Sequence, residues 1–159
     1  MTLREAAAFR ILDLIGPEEV PLIATDALVV GLDSAALRQL AGEMKPPASE
    51  VDPKLRRVFT ELSIPWPDRN SARLIVARFY ARQIVDGTVT AYEGARLIWW
   101  GPANDALLEP EPEQVSSWLK LRHFVGCASE YEDDVIHRPE YEQDIMGFAR
   151  ELVDDPEAA

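Results

Sequence analysis

The chain has 159 residues, of which 47% are apolar, enough for a folded domain and too many for a disordered segment. Its single cysteine, Cys127, excludes an internal disulfide and points to the reducing, cytoplasmic compartment. A formal charge of −12 excludes a surface built to grip nucleic acid or anionic lipid.

Helix start and stop signals punctuate the first third. Thr2-Leu3-Arg4-Glu5 forms a capping box, and Ala8, Ile11, Leu12 and Ile15 follow as an apolar stripe. Gly16-Pro17 ends that helix and opens a second, with Ile23, Ala24, Ala27 and Leu28 on its inner face and Gly31 as its stop. Asp33 is positioned to cap a short helix that runs to Gly42. Lys45-Pro46-Pro47 reads as a loop, and Asp52-Pro53 as the start of a helix carrying Leu55, Val58, Phe59 and Leu62 at helical spacing.

Ile64-Pro65-Trp66-Pro67 cannot continue that helix. The segment about 70–86 is apolar nearly all round, which places it centrally, yet it carries Arg73, Arg78 and Arg82. The spacing predicts structural ion pairs of Arg78 and Arg82 with Glu93, Glu130 or Asp133. Gly87 stops this helix, and Thr90-Ala91-Tyr92-Glu93 is a second capping box. Gly101-Pro102 is expected to terminate the helix that follows. Trp99 and Trp100, about 100° apart on a helix, cannot share one buried face, so Trp99 is assigned to the core and Trp100 to a partly exposed binding patch.

Glu109-Pro110-Glu111-Pro112-Glu113 is an extended acidic loop. A long helix to about Tyr131 is expected next, with Trp118, Leu121, Phe124, Val125 and Ala128 inward and Gly126 marking a close helix crossing. Pro139 opens a final helix with Tyr141, Ile145, Phe148, Ala149 and Leu152 in one stripe, and 154–159 reads as a frayed tail. The fold class is therefore all-α: a globular bundle of about eight helices around the segment 70–86. Residues 1–153 form one helical domain, with a possible division into 1–67 and 68–153. Only Ala27–Leu32 and Val89–Tyr92 offer short alternative strands.

Charge is unevenly placed. Residues 1–104 carry 12 Lys/Arg against 13 Asp/Glu, whereas 105–159 carry 4 against 15. No apolar run approaches the roughly 20 residues of a membrane span, and the first residues lack the basic and apolar regions of a signal peptide. The acidic third holds Glu130-Tyr131-Glu132-Asp133-Asp134, echoed by Glu140-Tyr141-Glu142. His123, Glu130, Asp133 and His137, with Cys127 four residues after His123, suggest a metal there, but the paired Glu-x-x-His and His-Glu-x-x-His spacings are absent, so no metal or other cofactor is assigned. Cys127, among Phe124, Val125 and Ala128, reads as a small core residue. No nucleophile elbow or phosphate loop is present, and no catalytic residue is assigned.

The segments Ala81-Arg82-Gln83-Ile84-Val85-Asp86-Gly87, Ala91-Tyr92-Glu93-Gly94-Ala95 with Ile98-Trp99, and Phe124-Val125-Gly126 with Ala128-Ser129-Glu130-Tyr131-Glu132-Asp133, ending in Tyr141-Glu142, form a pattern over about half the chain. It resembles small uncharacterised bacterial helical proteins without an established activity, and the resemblance implies no catalytic residue. The expected function is an acidic helical module, regulatory or immunity-like, that binds a basic protein partner through Trp100, Glu130, Tyr131, Glu132, Asp133, Asp134 and Tyr141. The alternatives are a small metal-dependent enzyme using His123, Glu130, Asp133 and His137, and a small-molecule pocket lined by Tyr80, Trp99 and the central arginines.

Overall fold

The structure, a computed structural model, describes residues 1–155. Among them it is all-α, with no strand: eight α-helices of seven residues or more, one further single α-turn, two short 3-10 turns and one π-turn. None is long and apolar enough to cross a membrane. The chain folds as two compact units, residues 1–68 and residues from Arg69 onward.

The first unit comprises α1 (Leu3–Ile11), α2 (Val20–Val29), α3 (Ala35–Ala41) and α4 (Ala48–Glu61). Its core joins Leu3, Ala6 and Ala7 of α1 to Val20, Ile23 and Ala24 of α2, Leu37 and Leu40 of α3, and Val51, Leu55, Val58 and Phe59 of α4. Each large side chain there contributes about 1.5–3 kcal/mol by leaving water. The capping box at Thr2 and Glu5 is formed. Two local expectations are corrected. Ser34, not Asp33, caps α3 by accepting from the Leu37 amide at 3.1 Å, while Asp33 pairs with Arg38. α4 begins at Ala48, so Pro53 lies inside it rather than at its start. Asp52 instead receives a two-pronged bond from Arg10, at 3.0 and 3.1 Å, which ties α4 to α1.

The second unit comprises α5 (Arg69–Val85), α6 (Ala91–Ile98), the single turn α7 (Asn104–Leu107), α8 (Ser116–Asp133) and α9 (Arg138–Asp154). In turn α5 packs on α6, α6 on α8, α8 on α9 and α9 on α5. The residues they enclose keep helical spacing: Leu74, Ala77, Ala81 and Ile84; Ala95 and Ile98; Leu121, Phe124 and Ala128; Ile145, Ala149 and Leu152. The N-terminus of α8 is satisfied from outside, because Asn70 Oδ1 accepts from the Ser117 amide at 3.1 Å.

Gly101-Pro102 does not end α6. The helix widens into a π-turn over Trp99–Ala103 and continues into α7. Pro102 lacks an amide hydrogen and its ring crowds the carbonyl four residues back, and the wider turn accommodates both. Gly126 is also corrected. A Cβ there would meet nothing within 4 Å, whereas one on Gly94 would collide with Ile84, so Gly94 is the close-crossing residue. Asp154 closes α9 and Asp155 pairs with Lys120 at 2.5 Å, while the rest of the expected frayed tail, 156–159, lies outside the described residues.

Candidate interaction site

The acidic segment is organised around tyrosines. Tyr92 of α6 stacks on Tyr131 of α8, with ring centroids 4.2 Å apart and planes 16° apart. The Tyr92 hydroxyl donates to Glu132 at 2.6 Å, and the Tyr131 hydroxyl to Glu142 of α9 at 3.2 Å. Arg96 lies over the Tyr92 ring at 5.7 Å and Arg138 over the Tyr131 ring at 4.7 Å. Arg138 also donates to the Tyr131 carbonyl at 3.0 Å. The bond to Glu132 pushes the Tyr92 hydroxyl above its ordinary range, and burial followed by the bond to Glu142 does the same for Tyr131. The echoed Tyr-Glu pairs thus fasten three helices, and two of the acidic residues have structural work.

At the end of α8 the chain turns sharply. Asp134 accepts from the amides of Ile136 and His137 at 3.1 and 3.3 Å, and its second oxygen lies 2.6 Å from His137 Nδ1. Contact with His137 holds the Asp134 carboxyl below its usual range, and contact with Asp134 raises the His137 imidazole. The turn lifts Val135 and Ile136 into solvent, at 65% and 83% exposure. Tyr141, on the first turn of α9, is half-buried; burial first, then the nearby carboxylates of Asp134 and Glu130, raise its ionisation. Glu130 and Asp133 are exposed on α8.

Trp100 is set apart from this hairpin tip in the contacts it makes. It is 61% exposed and stacks on the half-buried Trp99 at 5.3 Å, with 12° between the planes. It lines a cleft of about 480 Å³ with Val89, Glu93, Arg96 and Leu97. Trp100 is exposed as expected, whereas Trp99 is only partly buried against the second core, and the two rings lie together.

The ion pair expected of Arg78 is replaced by a backbone contact. Arg78 donates to the Val153 carbonyl at the end of α9, at 2.5 Å. Glu93 sits at the third position of α6, where it accepts from the Thr90 amide at 3.2 Å and the Thr90 hydroxyl at 2.8 Å. Arg82 is half-buried on α5. The buried arginine is Arg73, 2% exposed, which contacts Asp105 at 2.6 Å and Glu109 at 2.5 Å. Arg69 adds a second cation to Asp105 at 2.5 Å. Burial pushes the Asp105 carboxyl up, and Arg69 and Arg73 outweigh it, so the net shift is down.

No protein-family model, curated protein or solved structure matches the chain.

The metal candidates do not converge. His123 stacks on Phe148 at 4.9 Å and His137 belongs to the Asp134 turn. Among the described residues no three His, Cys, Asp or Glu side chains are grouped to hold a metal ion. Cys127 is half-buried against the second core, and burial raises its thiol, which disfavours the reactive thiolate. The residues missed by sequence reasoning are Asp105, Glu109, Arg96, Arg138, Val135 and Ile136. The recurring Tyr-Glu dipeptides were the available signal for the tyrosine fastening; nothing local marks the partners of Arg73.

Proposed function

We propose that this chain is an acidic, cytoplasmic, helical protein-binding module that docks a basic protein partner through the tip of the α8–α9 hairpin. The observation that carries this reading is the pair Val135 and Ile136, held out in solvent on a turn fixed by Asp134. An apolar tip bordered by carboxylates suits a partner with an apolar socket in a cationic rim. Glu130 and Asp133 provide that border, and their carboxylates make no hydrogen bond or ion pair among the described residues, so their charge is available to a partner. Glu132 and Tyr131 support the surface from behind, since both are engaged in fastening α6, α8 and α9. A regulatory or immunity-like role, in which the module occludes the cationic face of another protein, fits this chemistry. The half-buried lone thiol is in keeping with a reducing compartment.

The test is capture of a partner from the native host by the wild-type chain and by the Glu130→Lys/Asp133→Lys and Ile136→Ser variants. A basic protein is expected, released progressively as salt rises and lost in both variants while their helical circular dichroism is unchanged. Capture that is indifferent to salt and to both variants rejects the reading. Reversing Glu132 is a poor test, because it removes the acceptor of Tyr92 as well as a surface charge.

A further inference from the structure

We propose that the exposed face of α6 pairs, antiparallel, with the same face of a second copy of this chain. The inference concerns a different surface from the hairpin tip and does not rest on the tip's function. The face is lined by Val89, Glu93, Arg96, Leu97 and Trp100, which border one cleft. Glu93, Arg96 and Leu97, and Trp100 succeed one another at helical spacing, so they form one stripe. Leu97 and Trp100 are 41% and 61% exposed, an apolar patch left open among the described residues.

The charges on this stripe are self-complementary. Both hydrogen bonds made by the Glu93 side chain use Oε2, leaving Oε1 without a partner among the described residues. Arg96 is half exposed, and its nearest carboxylate, Glu132, is 3.9 Å away, too long for a good hydrogen bond. A twofold axis crossing α6 midway between residues 93 and 96 sets Glu93 of one copy opposite Arg96 of the other, twice. The same axis sets Trp100 opposite Val89, twice, because those positions are also symmetric about that midpoint. One operation therefore satisfies the open carboxylate oxygen, the loosely held guanidinium and the exposed indole together. An acidic or a basic foreign segment satisfies only one of the two charges.

The test is the solution mass of the full chain by sedimentation at physiological salt over a dilution series. The wild type is expected to show the mass of two chains, falling to that of one on dilution. Trp100→Ala and, independently, Leu97→Glu are expected to give a single-chain mass throughout, with unchanged helical circular dichroism. The decisive arm uses Arg96→Glu and Glu93→Arg. Each variant alone places like charges opposite one another and is expected to be a single chain. Mixed in equal amounts they restore both opposite-charge pairs and are expected to associate.

A single-chain mass for the wild type up to about 1 mM, a concentration at which even weak association registers, overturns the proposal and leaves the cleft to another occupant. Association that survives both Trp100→Ala and Leu97→Glu places the contact elsewhere and also overturns it. Two folded charge variants that fail to associate when mixed overturn the antiparallel register.

Discussion

A Cβ atom on Gly94 would lie 2.2 Å from Ile84 Cγ1 and 2.6 Å from Ile84 Cδ1. α6 therefore reaches α5 only because residue 94 has no side chain. Gly94→Ala is expected to lower stability by about 1–3 kcal/mol, the usual cost of overpacking, despite alanine's better helix propensity. Gly126→Ala, with open space around it, is expected to raise stability by about 0.5–1 kcal/mol. Urea unfolding of the two variants checks both, and shifts of the same sign would contradict this account of the packing.

Arg73 and Arg69 share Asp105 but differ in exposure, with side chains 3% and 52% accessible. Arg73→Met is expected to cost about 3 kcal/mol, the low end for removing one partner of a buried pair, since Glu109 can still reach water. Arg69→Met should cost less than about 1 kcal/mol. Asp105 has a depressed folded pKa, so its contribution is present above the unfolded carboxyl range and is lost as pH falls through the folded value. The acid limb of the stability curve should therefore be shallower in Arg73→Met than in the wild type, as measured by thermal melts across pH.

His137 and Asp134 bound a pH window for the hairpin turn. The folded imidazole pKa is raised, so its share is complete below the unfolded histidine value and disappears as pH rises through the folded one. The folded Asp134 pKa is lowered, so its share is complete above the unfolded carboxyl value and disappears as pH falls through the folded one. The turn should be best ordered between those limits. Imidazole titration by nuclear magnetic resonance should place His137 above an ordinary histidine, and Asp134→Asn should bring it down. A His137 titration unaffected by that substitution would remove the pair from the account.

Thr90 caps α6 through the Glu93 amide at 3.2 Å, and Glu93 returns the bond. Thr90→Ala should cost about 1 kcal/mol, whereas Thr90→Ser should cost little because the hydroxyl is kept. Chemical denaturation of the two variants gives the comparison; equal losses would show that the methyl group, not the cap, matters.

What could be read from the sequence is what depends on a few adjacent residues. Thr2 with Glu5 and Thr90 with Glu93 announce helix starts because both partners lie within one turn, and the stripe Leu121, Phe124, Ala128 announces a buried face for the same reason. Contacts between distant positions were not legible. The identity of the close-packed glycine depends on Ile84, which meets Gly94 and not Gly126. Which arginine is buried depends on Asp105, 32 residues beyond Arg73. The continuation of α6 past Pro102 runs against a local stop signal, and the π-turn that permits it is invisible to a pattern search with a fixed helical period. Within the candidate site the carboxylates were identifiable by position, but their division into fastened and available groups required knowing where Tyr92 and Tyr131 point.

The Asp134 turn gives the hairpin its end shape before anything arrives to meet it. Two amides are already engaged there, so Val135 and Ile136 lose little further freedom when a surface closes over them. In the proposed docking, recognition at this point selects for fit rather than for adaptability. Substitutions that merely loosen the turn, leaving every exposed atom in place, should shorten the lifetime of a complex as surely as removing the apolar side chains themselves.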